Sequence, residues 1–199
     1  MAVPIIVLLL GFYFGASIRA EEPDDTGRLK AEVFLLQEAI KFDPVAGVAH
    51  ANGAAVLRVQ NVSKQPVILS LVDTWKVRLR NSRGETATVS FARDASRLSA
   101  HKDFAQIDPT QYLHYLVELR LSFIENKLSL WGNDTLGGTW QCHDIEPGAF
   151  TFQIAYAHTE IYPFEEKFVK ERRDELFVGE FVTASKPLRL EIARPGEAR

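Results

Sequence analysis

The stretch from Tyr112 to Phe123 places an apolar residue at every second position, and it constrains the fold more than any other part of the sequence. The six residues of this series are Leu113, Tyr115, Val117, Leu119, Leu121 and Phe123. Successive side chains of a β-strand point to opposite faces, whereas helical spacing would scatter these six around the axis. The stretch therefore predicts a long strand with one face in a core.

With this stretch, about nine runs separated by turn-forming residues predict strands, and the three runs at 32–37, 54–60 and 66–72 are apolar on both faces in part. The runs span 32–37, 54–60, 66–72, 75–80, 86–91, 112–123, 150–156, 177–182 and 188–192. Pro66 opens one run after the turn that begins at Asn61, Gly84 closes a hairpin loop, and Pro147-Gly148 suits a type II turn. Many short strands without helix-sized spacing between them favour an antiparallel β-sandwich or barrel over an α/β fold.

Two stretches depart from this pattern. Residues 93–109 are polar and predict a long loop. Residues 164–176 contain nine charged residues among thirteen, while Phe164, Phe168 and Leu176 recur at multiples of four. This spacing predicts a short solvated helix that rests on the sheets through a narrow apolar stripe. Long insertions of this kind are either functional or simply decorated loops.

The first twenty residues differ from the rest of the chain. The 17 residues from Ala2 to Ile18 contain no charged residue, and an acidic cluster begins at Glu21. This is shorter than the roughly 20 residues that cross a bilayer, so a secretory signal peptide fits better. An uncleaved anchor and a buried N-terminal helix are the alternatives. We expect an extracytoplasmic protein, periplasmic or secreted, made of a signal peptide (1–20), one domain (30–193) and a polar tail (194–199).

Three phrases within residues 30–193 are typical of one group of proteins. Val56-Leu-Arg-Val-Gln-Asn61 precedes Gln65-Pro-Val67, the segment 140–156 contains Glu146-Pro-Gly-Ala-Phe150, and the segment 178–185 leads into 187–192. These phrases resemble bacterial immunoglobulin-like sandwiches, in particular the intracellular proteinase inhibitor (BsuPI-like) family. The resemblance implies an all-β, antiparallel, immunoglobulin-like β-sandwich, and it implies proteinase inhibition as an alternative function. It carries no inhibitory residue onto this sequence.

Composition excludes several classes of protein. Hydrophobic residues make up 46% of the chain, too many for a disordered protein, and the one cysteine, Cys142, cannot form an intramolecular disulfide. Cys142 is either a small hydrophobe of the core or a thiol that pairs with another chain. The net charge of -3 gives no sign of a basic nucleic-acid interface, so we expect no nucleic-acid partner.

The sequence contains no local catalytic or metal-binding motif. Its five histidines form neither a His-x-x-x-His nor a His-Glu-x-x-His pair. Cys142, His143 and Asp144 have the residue types of a nucleophile, a base and an orienting acid, but neighbouring strand residues point to opposite faces. We therefore expect no enzymatic activity, no catalytic residue, no metal and no cofactor. A metal-dependent enzyme assembled from distant residues is the alternative.

The candidate binding residues are Trp131, Trp140, His143 and Asp144, which flank or follow one glycine-rich connection. Aromatic residues at such a place either form a contact surface or close the end of the core, and His143 and Asp144 beside Asp134 are a weaker candidate for a cation site. We expect an exported, non-enzymatic binding or structural module that recognises protein or glycan. The expected recognition loops are 93–109, 131–148 and 160–177, and a membrane contact is expected only if the N-terminal segment is uncleaved.

Overall fold

The computed structural model describes residues 27–46, 49–71, 74–92, 103–124, 127–133, 138–161 and 163–193. The expected signal peptide (1–20) and polar tail (194–199) lie outside the described residues. Asp134 and the 93–102 part of the predicted loop lie outside them as well.

The described residues are mostly β-strand, and the prediction of an all-β fold with antiparallel sheets is confirmed. The strands are β1 (Leu29–Leu35), β2 (Ala39–Phe42), β3 (Ala51–Asn61), β4 (Val67–Ser70), β5 (Trp75–Asn81), β6 (Val89–Ala92), β7 (Phe104–Ile107), β8 (Tyr112–Ile124), β9 (Lys127–Asn133), β10 (Thr139–Ile145), β11 (Gly148–His158), β12 (Gly179–Val182) and β13 (Lys186–Ile192). One helix, α1 (Pro163–Val169), and a 3-10 helix (Arg173–Glu175) follow β11.

Thirteen strands are described where the sequence predicted about nine, since β2, β7, β9 and β10 were not predicted. β2 and β7 are four residues each, too short to establish a period. β9 buries Leu128, Ser129 and Leu130 in succession, so both of its faces are covered. Two expected loops therefore need correction: β7 lies within 93–109, and β9 and β10 occupy much of 131–148.

Two larger sheets and one small sheet organise the strands. Sheet A has the order β1-β3-β8-β9-β10-β6, and every neighbouring pair in it is antiparallel. In sheet B, β5 pairs with one side of β11, and β12 and β13 pair end to end with the other side. β2 joins the edge of sheet B by pairing in parallel with β13. β4 and β7 form a separate two-stranded sheet.

A single hydrophobic cluster contains the inward side chains of both larger sheets. The alternation of β8 is confirmed by burial: Leu119 and Leu121 are fully buried, whereas Tyr112, His114 and Leu116 are exposed. Aromatic rings link the sheets, since Trp75 of sheet B lies 5.9 Å from Tyr115 of sheet A, measured between ring centroids. Burial of these side chains is the main stabilising contribution to such a fold.

The charged segment after β11 forms a shorter helix than predicted. α1 ends at Val169, and the 3-10 helix replaces its expected continuation toward Leu176. Val169 and Leu176 are buried against Ile68 of β4 in a second, small cluster, and the Phe168 ring lies 5.7 Å from that of Phe104. Among the described residues no helix has the length and apolar content needed to cross a membrane.

Candidate functional site

A solvent-open cleft of about 660 Å³ lies where the chain passes twice between the larger sheets. β5 of sheet B leads to β6 of sheet A, and β10 of sheet A leads to β11 of sheet B. The connections 82–88 and 143–149 are held together at both ends: Val89 pairs with Cys142 in sheet A, and Asn81 pairs with Phe150 in sheet B. Between these pairs the two segments separate, and each forms one wall of the cleft.

The first wall, residues 82–88, begins with a turn that Asn81 organises. Asn81 Oδ1 accepts hydrogen bonds from the backbone N–H groups of Arg83 and Glu85, each at 3.0 Å. Its Nδ2 donates to the Glu85 carboxylate at 2.7 Å, and this bond, with the charge of Arg83, holds the pKa of Glu85 below its usual value. Hydroxyl groups dominate the rest of this wall and its rim, at Ser82, Thr86, Thr88 and Ser90.

The second wall, residues 143–149, begins at a β-bulge in β10. Cys142 pairs with Leu130 and Ile145 with Leu128, so β10 has one residue more than β9 over this interval. Such an insertion bends a strand and redirects its side chains. Asp144 adopts a φ of 56°, a left-handed conformation that Asp tolerates better than most residues.

The bulge brings His143 and Asp144, both predicted candidates, to the cleft as exposed side chains. The Asp144 carboxylate lies 3.1 Å from Lys127 Nζ in an exposed ion pair. Because the bulge removes both residues from the regular ladder, their polar groups face solvent and can contact a bound molecule. Glu146 lies farther along the same wall.

The two predicted tryptophans lie away from this cleft and on opposite faces of sheet A. Trp140 pairs with Gly132, and Trp131 pairs with Gln141, so the two indoles point in opposite directions. Trp140 is 3% exposed and belongs to the core, where a Cβ at Gly132 would come within 2.8 Å of its Nε1. Trp131 lies half-buried on the outer face, with the Arg120 guanidinium 4.9 Å from its ring centroid.

The structure separates the chemical groups of the Cys142-His143-Asp144 sequence. Cys142 is fully buried, and burial raises the pKa of its thiol to about 11. A thiol acts as a nucleophile in its ionised form, so this cysteine lacks the environment of a reactive one.

Comparison with protein-family models and with curated proteins finds no match. Within the described ranges, no group of three His, Cys, Asp or Glu side chains is placed to hold a metal ion.

A second polar cluster, which the sequence did not reveal, lies buried between β4, β11 and α1. The Glu165 carboxylate accepts a hydrogen bond from Ser70 Oγ at 2.5 Å and lies 2.9 Å from His158 Nε2. The other ring nitrogen of His158, Nδ1, lies 2.9 Å from the carbonyl oxygen of Phe177, to which it must donate. Ser70 and Glu165 are completely buried, and His158 is 2% exposed.

The geometry of this buried cluster is structural and not that of a hydrolase. In a nucleophilic triad the imidazole lies between the hydroxyl and the acid, whereas here Glu165 lies between Ser70 and His158. Since Nδ1 donates to a carbonyl, a proton must also lie between Nε2 and the carboxylate. Burial opposes a charge on His158, but the hydrogen bonds to Glu165 and Phe177 outweigh it and raise the His158 pKa.

The position of Glu165 within the helix is the one feature of the sequence that indicates its burial. Glu165 and Val169 are four residues apart, so they lie on the same face of α1, and Val169 is buried. The segment has nine charged residues among thirteen, and most of them are exposed. A buried glutamate is therefore hard to recognise among them from the sequence. The sequence around its partner His158 does not indicate a polar contact either, since this histidine lies at the end of an apolar strand.

Proposed function

We propose that this protein is an exported, non-enzymatic binding module, built on an immunoglobulin-like β-sandwich, that recognises a protein or glycan through the cleft between the two sheet crossings. The observation that carries this proposal is the position of the cleft. Both walls are connections between strands, held at each end by a paired ladder, and connections held on a rigid scaffold are common binding sites.

The chemistry of the cleft supports binding by hydrogen bonds and charge. Hydroxyl groups on the first wall and the His143, Asp144 and Glu146 side chains on the second offer donors and acceptors to a polar ligand. Within the described lining, no hydroxyl or thiol is hydrogen-bonded to a histidine, which is the arrangement that nucleophilic catalysis uses. A polar peptide or a glycan suits this lining better than an apolar small molecule.

Peptide and glycan arrays probed with the full-length protein test this proposal. A cleft variant, His143→Ala with Asp144→Gly, removes two polar side chains and keeps a residue that accepts the positive φ at position 144. A matched control, His114→Ala with Glu180→Gln, removes one histidine and one carboxylate from exposed positions elsewhere. We expect array signals to fall at least tenfold for the cleft variant and to stay within twofold for the control.

Two results would contradict the proposal. Equal array signals for the cleft variant and the wild type would show that the ligand binds elsewhere. Turnover of substrates in a hydrolase panel, lost on Cys142→Ala or His143→Ala, would show that the protein is an enzyme.

A further inference from the structure

The outer face of sheet B is basic, although the chain as a whole is slightly acidic. Lys76, Arg78 and Arg80 alternate along β5 with Trp75, Val77 and Leu79, and all three cations are exposed. Because they occupy every second position, they lie on the same face, roughly 6.6–6.8 Å apart. None of the ion pairs formed among the described residues involves these three side chains.

Shorter side chains lie beside this row on the neighbouring strand. Arg80, Arg78 and Lys76 pair across the sheet with Thr151, Gln153 and Ala155 of β11. The Gln153 side chain is held down by a 3.0 Å hydrogen bond from Nε2 to the carbonyl oxygen of Thr183. The three long cations therefore form one side of a shallow trough whose floor is β11.

The opposite side of the trough adds to the positive charge. Arg189 of β13 pairs with Ala149 of β11, and Lys41 of β2 pairs with Glu191 of β13. Glu191 lies 3.5 Å from Arg189, so these three residues carry one net positive charge. Along the other half of β11, β12 places the exposed Glu180 beside Ala157 on the same face. With the β5 row, the face then has five cations and two carboxylates, and this excess of cations attracts an anionic partner.

The residue types on this face discriminate between classes of anionic partner. The exposed large apolar side chains of the described chain all lie outside β2, β5, β11 and β13. The face therefore lacks the apolar groups that insert into a membrane and the aromatic rings on which nucleic-acid bases stack. An extended peptide is the class of anionic partner that fits this face. Its side chains on one face repeat at the same roughly 6.6–6.8 Å spacing as the cations.

We propose that the outer face of sheet B is a docking surface for an extended acidic peptide segment with Asp or Glu at alternate positions. Its carboxylates pair with Lys76, Arg78 and Arg80 while its backbone lies along the trough over β11. This surface is separate from the cleft of residues 82–88 and 143–149, so the proposal stands apart from the function proposed above.

Fluorescence anisotropy with two labelled peptides tests the proposal on the full-length protein. One peptide alternates Glu and Thr over eight residues, and the other has the same composition with four Glu followed by four Thr. The triple variant Lys76→Gln, Arg78→Gln, Arg80→Gln is compared with Lys30→Gln, Lys64→Gln, Lys170→Gln, which removes three exposed cations elsewhere. Arg78→Gln alone serves as a milder variant if the triple variant is poorly folded.

We expect the alternating peptide to bind the wild type several-fold more tightly than the block peptide, and added salt to weaken it. The β5 triple variant should bind at least tenfold more weakly, Arg78→Gln two- to fourfold more weakly, and the control triple variant within twofold of wild type. Equal losses in both triple variants, or equal affinity for both peptides, would overturn the proposal. Absence of peptide binding, or tighter binding to phosphatidylglycerol vesicles or to oligothymidylate, would also overturn the proposal. Cations on an edge strand can instead serve to prevent pairing between chains. Self-association of the β5 variant with unchanged peptide affinity would therefore overturn the proposal as well.

Discussion

In the part of the chain that the structure describes, two places with a histidine beside a carboxylate differ in almost every physical respect. His143 and Asp144 are adjacent in sequence, exposed, and turned outward by a bulge. His158 and Glu165 are seven residues apart, buried, and joined at 2.9 Å. The first pair faces solvent, where a ligand can reach it, whereas the second connects a helix to the sheets.

We expect burial, and not closeness in sequence, to determine how strongly such a pair affects stability. A carboxylate in water is well solvated, so its loss costs little, but a buried carboxylate depends on every hydrogen bond that it accepts. Glu165 accepts one from Ser70 and shares a proton with His158.

The largest effect is expected for Glu165→Ala. Removing the carboxylate leaves His158 and Ser70 buried without their partner, and the free energy of unfolding should fall by about 3–5 kcal/mol. Urea unfolding measures it, with Glu171→Ala as a control at an exposed position of the same charged segment. Equal stability of the two variants would show that burial does not set the cost of losing this carboxylate.

Ser70→Ala should have the next largest effect. The Ser70 hydroxyl donates to Glu165 at 2.5 Å, and its loss leaves a buried carboxylate one hydrogen bond short. We expect a loss of about 1–3 kcal/mol in the free energy of unfolding, from the same urea titrations. Ser90→Ala is the matched control, because the Ser90 hydroxyl donates to the Gln141 carbonyl at an exposed site of the cleft. Similar losses in both variants would contradict the assigned difference.

Stability should also depend on pH through His158. Its pKa is raised in the folded protein, so between the unfolded value near 6.5 and the folded value the native state binds more protons. This contribution is complete below the unfolded pKa and is lost as pH rises through the folded pKa. Unfolding free energies measured across this window should fall with rising pH in the wild type and in His143→Gln, and this decrease should be smaller in His158→Gln. An unchanged slope in His158→Gln would assign the pH dependence to other groups.

The smallest effect is expected for Asp144→Gly. Glycine accepts the φ of 56° at this position, and the lost ion pair with Lys127 is exposed. We expect the free energy of unfolding to change by less than about 0.5 kcal/mol, as at most exposed positions. A loss comparable to that of Ser70→Ala would mean that the Asp144 side chain holds the bulge in place.

Alternation predicted the longer strands with one buried face, whereas the four-residue β2 also alternates and was too short to be recognised. Each of the nine predicted runs overlaps a strand, and β8 matches its run almost residue for residue. The bulge in β10 is visible in retrospect, since the buried residues Trp140 and Cys142 are followed by Ile145 and not by Asp144. The pattern slips by one position where an extra residue is inserted.

The polar clusters could not be predicted in the same way. His143 and Asp144 were candidates by residue type, but the cleft beside them depends on the pairing of Asn81 with Phe150, which joins residues far apart in sequence. Ser70 and Glu165 are 95 residues apart, so no local pattern links them. The basic face of sheet B was hidden by the net charge of -3, because a sum over the chain contains no information about position.

The position of Cys142 gives the cleft a natural reporter. Its side chain is fully buried beneath the bulge, so a thiol reagent reaches it only when β10 separates from its neighbours. At low reagent concentration the modification rate measures the opening equilibrium of that strand, as hydrogen exchange does for a backbone amide. With one cysteine in the chain, every modified molecule reports the same event. A ligand that bridges residues 82–88 and 143–149 will slow the reaction in proportion to its occupancy, so binding can be followed without labelling either partner.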